Sequence, residues 1–146
     1  MVVPNFRPLT YLASPYSYRS ASADVVKKVQ MHRFEACTRA AGWLISQFGW
    51  NVFSPITHSH PLHILAPGLR GDWEFWKKID TEYLQISSRI VILTIPGWEK
   101  STGVTAEREI ASDLGLTVFY VAPKNGSFIL TKDPLPLFEY NPETDL

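Results

Sequence analysis

One stretch constrains this chain more than any other, the run from Arg89 to Val121. It opens with a continuous apolar, β-branched segment, Ile90 to Ile95, of the kind that makes a strand buried on both faces. Pro96 and Gly97 stop that strand, and Trp98 to Thr102 form a loop. The spacing then predicts a helix near residues 103–115, closed by Gly115, and a second buried strand from Thr117 to Val121. A loop between such a strand and helix lies at the carboxyl end of a parallel sheet, where open α/β sheets bind ligands. Val104, Ala111 and Leu114 mark the inward stripe of the helix, and Glu107 falls on it, three residues after Val104 and four before Ala111. A carboxylate is therefore aimed inward one turn into the helix, whereas Glu109 projects from a different, solvated face.

The rest of the chain repeats the alternation. Leu9 to Ala13 reads as a short buried strand, followed by a loop rich in hydroxyls, Ser14 to Ser20, that carries Arg19. A helix is predicted from about Asp24 to Phe48, where Val26, Val29, Phe34, Cys37, Ala41, Leu44, Ile45 and Phe48 recur near helical spacing. Asn51 to Ser54 is a second short strand, ended by Pro55. The segment Ile56 to Gly71, with His58, His60 and His63, reads as a loop over the sheet edge. Asp72 caps a further helix from Trp73 to about Ile86, with Trp76, Ile79, Tyr83 and Ile86 as its inward stripe. After Val121, Lys124-Asn125-Gly126 is a turn, and the proline-bearing remainder, residues 123–146, reads as an extended arm. The expectation is one domain over residues 1–146 with its core at about 9–122. Its fold class is α/β, a flavodoxin-like three-layer sandwich on a parallel sheet of four or five strands.

Composition removes several function classes. Lys plus Arg equals Asp plus Glu at 14 each, which argues against a nucleic-acid polymer or an anionic membrane as partner. The single cysteine, Cys37, rules out an intramolecular disulfide and a cysteine-based zinc site, and its place on a helix stripe makes it a core residue. The amino terminus lacks the charge pattern and apolar length of a signal peptide, and no apolar run is long enough to span a bilayer. The expected location is the cytoplasm. Gly-x-Gly-x-x-Gly is absent, so dinucleotide redox chemistry has no support and no cofactor is expected.

Asp80 supplies a second acidic group beside an apolar stripe, four residues after Trp76 and four before Leu84. Two carboxylates, Asp80 and Glu107, are then directed at one end of the sheet from successive helices, and desolvating both is costly. Such a pair suits chemistry at an anomeric carbon, with one group as nucleophile or cation stabiliser and the other as acid. The competing explanation is structural ion pairing, Glu107 with Arg89 or Arg108 and Asp80 with Lys77 or Lys78. Trp98, Tyr16 and Trp73 could stack on a base or serve as core and lid packing. His58 and His60 could form a metal pair, but with no carboxylate or cysteine in their segment a polar pocket rim is favoured and no metal is expected.

The spacing Ser101-Thr102-Gly103-Val104-Thr105-Ala106-Glu107, continued by Ala111 and Gly115-Leu116-Thr117-Val118, resembles the signature of the nucleoside 2-deoxyribosyltransferase superfamily. Tyr11-Leu12-Ala13-Ser14-Pro15-Tyr16 is similar to that family's first strand and loop, and the likeness covers about residues 10–122. Small bacterial and phage members of unassigned function share its elements. The resemblance implies that Glu107 is the catalytic glutamate and Asp80 the second catalytic carboxylate. It also implies a substrate site of Tyr11, Ser14, Tyr16, Ser17, Arg19, Trp98, Ser101 and Gly103, with His58 and His60 at its rim. Many of these transferases carry aspartate where this chain has Ser101, six residues before the glutamate. Serine there is similar to the 2′-deoxynucleoside 5′-monophosphate N-glycosidases, and a hydroxyl can donate to a phosphate that a carboxylate would repel.

The expected function is cleavage or transfer of the N-glycosidic bond of a (2′-deoxy)nucleoside or its 5′-monophosphate, with Glu107 as nucleophile. The alternative is a non-catalytic module that sequesters a nucleotide-derived ligand. A homodimer or larger homo-oligomer is expected, its pocket completed by the neighbour.

Overall fold

The computed structural model describes residues 8–136. In chain order the elements are β1 (Leu9–Ala13), α1 (Ala23–Phe48), β2 (Asn51–Phe53), α2 (Pro55–Leu65), α3 (Trp73–Gln85), β3 (Ser87–Leu93), α4 (Thr102–Asp113), β4 (Thr117–Lys124) and β5 (Ser127–Thr131). They build an α/β domain on a mixed five-stranded sheet of order β2-β1-β3-β4-β5. β2, β1, β3 and β4 pair in parallel, Tyr11 opposite Ile90 and Ile90 opposite Val118, while β5 returns antiparallel to β4.

Period-two alternation along the central strands sorts side chains onto two faces. Tyr11, Ala13, Ile90 and Ile92 point to one side, where Leu84 of α3 and Val104 and Ala111 of α4 cover them. Leu12, Val91, Leu93 and Val121 point to the other, against Cys37, Ala40 and Leu44 of α1. The helices therefore lie on both faces of the sheet. No helix among the described residues is long and apolar enough to cross a membrane.

Three expectations change. The segment from Ile56 is not a loop: α2 begins at Pro55, and Ser54 caps it by accepting from Thr57 N at 3.2 Å. Proline at the first helical position gives up only an N–H that would have no helical partner, so Ser-Pro starts the helix. Residues 123–131 are not an extended arm. Asn125 and Gly126, both at positive φ, make a tight turn that sends Phe128, Ile129 and Leu130 back along β4. The parallel sheet thus gains an antiparallel edge, and the part of the proposed arm beyond residue 136 lies outside the described residues. Finally, the inward stripes are shorter than predicted. Ile86 is 50% exposed, and Ile45 and Phe48 at the end of α1 are 49% and 44% exposed.

Strand order sets the place of a site. The chain leaves β1 through α1 for one neighbour, β2, and later enters β3 on the other side of β1. The crevice opens at the carboxyl ends of β1 and β3, where the order reverses.

Candidate active site

A cleft of about 740 Å³ occupies that crevice. One wall is the loop after β1, with Ser14, Tyr16, Ser17 and Arg19. The opposite wall is the segment Lys100 to Gly103 that runs into α4. Trp73, Trp76 and Asp80 of α3 and Glu107 of α4 complete it, together with Ile56, Ser59 and His63 of α2.

Both predicted carboxyl groups reach this cleft and both are buried, Asp80 at 7% and Glu107 at 6% exposure. Glu107 Oε2 accepts a hydrogen bond from the Tyr11 phenol, itself fully buried on β1. Burial raises the Glu107 pKa to about 8; the Tyr11 hydrogen bond opposes that rise and the neighbouring Asp80 adds to it. Burial alone raises Asp80 to about 7. Tyr11 is pushed well above the ordinary phenol range, first by burial and then by the charges of Glu107 and Asp80, so it stays a donor. The ion-pair explanation is not met. The salt bridges among the described residues are Arg39–Glu35 and Arg70–Asp72, and neither contains Asp80 or Glu107. Arg89 instead donates to Thr10 Oγ1 at 3.0 Å and lies 4.1 Å over the Trp50 ring.

Ser101 is the N-cap of α4, its Oγ accepting from Val104 N at 3.2 Å. The cap uses a lone pair of the hydroxyl and leaves its proton to donate into the cleft. A Cβ built on Gly103 would stand 3.7 Å from Glu107 Oε1, an ordinary contact, so crowding does not dictate the glycine. Ser14 is buried and donates to Pro15 O at 3.2 Å, while Ser17 and Arg19 are exposed at the rim.

Four predicted contacts fall elsewhere. Trp98 packs in the core at 6% exposure with its ring edge-on to Tyr120, and it does not line the cleft. His58 and His60 do not line it either, because their segment is helical. Helical phase turns Ile56, Ser59 and His63 inward, leaves His58 exposed, and seats His60 on Phe34 with ring centroids 4.4 Å apart. His60 Nδ1 lies 2.5 Å from the Tyr16 hydroxyl, behind the cleft wall, and burial lowers its pKa so that it is the neutral ring. Tyr11 sits under Glu107 rather than on the cleft surface. Among the described residues no group of three or more His, Cys, Asp and Glu is placed to hold a metal ion.

Sequence reasoning missed Gln30 and Lys100 on the cleft walls and Arg33 behind them. Arg33 had a readable signal, since it stands four residues after Val29 and four before Cys37 on the buried stripe of α1.

Fold and site together define an α/β domain that carries a buried pair of carboxyl groups at the switch point of its sheet. The chain belongs to the family described as a domain of unknown function (DUF1937), whose model matches residues 8–122. Among solved structures it is similar to a 2-deoxyribosyltransferase from the psychrotolerant bacterium Bacillus psychrosaccharolyticus. That match has a TM-score of 0.51 and 21% sequence identity, and covers 80% of this chain and 74% of the other. At that identity the likeness is one of fold. No curated protein matches the chain.

Proposed function

We propose that this protein cleaves or transfers the N-glycosidic bond of a 2′-deoxynucleoside or its 5′-monophosphate. The observation that carries the reading is the buried Asp80–Glu107 pair at the cleft floor, with Glu107 held by Tyr11. The 2,1,3,4,5 strand order supports a flavodoxin-like reading of the fold, and the deoxyribosyltransferase neighbour supports the substrate class.

In this mechanism the singly protonated pair is productive in the form that carries the charge on Glu107 and the proton on Asp80. That form is the reverse of the order of the two raised values, and the Tyr11 hydrogen bond favours it by holding the Glu107 carboxylate. The Glu107 carboxylate attacks C1′ as the C1′–N bond breaks, giving a glycosyl ester and releasing the base. Asp80 gives its proton to the departing ring nitrogen and becomes a carboxylate. Asp80 then takes a proton from water, or from the N–H of a second base, as that acceptor attacks C1′ and frees Glu107. Trp73 and Trp76 offer apolar faces for the base. Ser101, Ser17 and Arg19 stand where they can meet a 5′-phosphate. The apolar residues Ile64, Leu65 and Leu69, exposed at the end of α2 and just beyond it, are the surface on which a second copy would pack in the oligomer we propose.

The test is incubation with 2′-deoxynucleosides and their 5′-monophosphates, with and without a free acceptor base, followed by chromatography of the released base. Wild type should release base and Glu107→Gln should lower kcat by about a thousandfold or more while retaining ligand binding. Full cleavage by Glu107→Gln would sink the proposal.

A further inference from the structure

Arg33 stands on α1 at 6% exposure, behind the cleft rather than in it. Its guanidinium reaches carbonyl oxygens on two separate loops. Nη1 donates to Ser17 O at 2.8 Å and to Tyr16 O at 3.4 Å, in the loop after β1. Nη2 donates to Pro96 O at 3.3 Å, in the loop after β3. The Tyr18 ring lies 5.5 Å from the guanidinium carbon on the first loop. On the second, a Cβ at Gly97 would stand 2.6 Å from Nη2, and Gly97 is also at φ +96°. Backbone conformation holds that residue to glycine, and a side chain there would also push the guanidinium out of its place.

These two loops are the origin of opposite cleft walls. Tyr16 and Ser17 line the cleft directly, and Pro96-Gly97 leads through the turn at Trp98–Lys100 to Lys100, Ser101 and Gly103. A planar, always-charged fork carries its donors on separate nitrogens and so spans carbonyls on two loops, whereas the three donors of lysine sit on one nitrogen at the end of a different stem. Hydrogen bonds from a buried charged donor are also stronger than neutral ones.

We propose that Arg33 is a positioning residue that ties the loop after β1 to the loop after β3 and so fixes the distance between the two walls of the cleft. It touches no reacting atom. The cleft is held open at its working width before ligand arrives, and binding does not have to order the loops. The consequence for turnover rests on the glycosidic reading of the cleft; the consequence for loop order does not.

The experiment compares wild type with Arg33→Lys and Arg33→Met by backbone amide exchange without ligand, and by kcat and KM on the best substrate. In Arg33→Met, peptides covering residues 14–20 and 95–103 should both exchange about tenfold faster, with β3 and β4 unchanged. KM should rise about tenfold with a smaller fall in kcat, since a lower active fraction would reduce kcat and leave KM alone. Arg33→Lys should recover at most one of the two loops. If Arg33→Met fails to fold, the Arg33→Lys comparison decides alone. Loosening of neither loop, or equal loss of protection in β3 and β4, would overturn the proposal. If no nucleoside is turned over, the exchange result still stands or falls alone, and only the glycosidic reading is lost.

Discussion

The Tyr11 phenol donates its proton to Glu107 Oε2 across 96 residues of sequence, and both side chains are shut away from bulk water. A donor at that oxygen favours the charged carboxylate, opposing the burial that raises the Glu107 pKa to about 8. Removing it in Tyr11→Phe should raise that pKa further. The acid limb of kcat/KM then moves to higher pH, and at pH 7 activity falls by about tenfold to a hundredfold. A pH–rate profile of Tyr11→Phe that overlays wild type would refute this role.

The two carboxyl groups differ in what the mechanism asks of them, so the pH profile should be a narrow bell. Activity rises as one proton leaves the pair and falls as the second leaves, and the raised values of about 7 and about 8 bracket the optimum. In Asp80→Asn the neighbour of Glu107 is neutral, as Asp80 is in the productive form, so the ascending limb should stay near its wild-type place while kcat drops by about a hundredfold. The same substitution should remove the descending limb, because no second proton remains to be lost. A descending limb that persists in Asp80→Asn would show that Asp80 is not the proton donor.

Stability should carry the same signature with a definite sign. Both groups have folded pKa values raised above their ordinary ones, so between about pH 4 and about pH 8 the folded state binds more protons than the unfolded chain. Their contribution is fully present below the ordinary carboxylate range and is lost as pH rises through about 7 to about 8. Glu107→Gln cannot ionise and escapes that loss. Its melting temperature relative to wild type should therefore be higher at pH 8.5 than at pH 5, as thermal unfolding at the two pH values will show.

The parts of this molecule legible in the sequence are those where one physical signal acts without competition. The apolar run Ile90 to Ile95 and the helix behind it place β3, α4 and Glu107, because a charge on an apolar stripe is conspicuous. β3 itself begins earlier, at Ser87, since backbone pairing with β1 extends past the apolar run. α2 was hidden by composition: Pro55, Pro61 and three histidines read as loop, although Ser54-Pro55 is a helix start. Pro61 survives inside the helix, which costs a hydrogen bond that packing against α1 must offset. β5 followed from Asn125-Gly126 and the apolar run after it, a hairpin signal that the nearby prolines obscured. Arg33 and Glu107 are the same kind of signal, a charge on a buried stripe, and only the acid was read.

Ser101 offers the cleanest test of whether the substrate carries a phosphate. The residue caps α4 through its Oγ, and aspartate caps a helix N-terminus about as well as serine. Ser101→Asp should therefore leave the melting temperature nearly unchanged and alter only the charge at the cleft wall. A carboxylate there repels a 5′-phosphate but can accept a hydrogen bond from a 5′-hydroxyl. On the monophosphate, KM should rise by about tenfold or more, while activity on the free nucleoside is retained or improves. The check is KM for both substrates with wild type and Ser101→Asp at one ionic strength, because the effect of a rim charge is screened by salt. Equal loss on both substrates would mean that Ser101 serves the helix and not the phosphate. A wild type with no preference for the monophosphate would end the phosphate reading while leaving Glu107 and Asp80 in place.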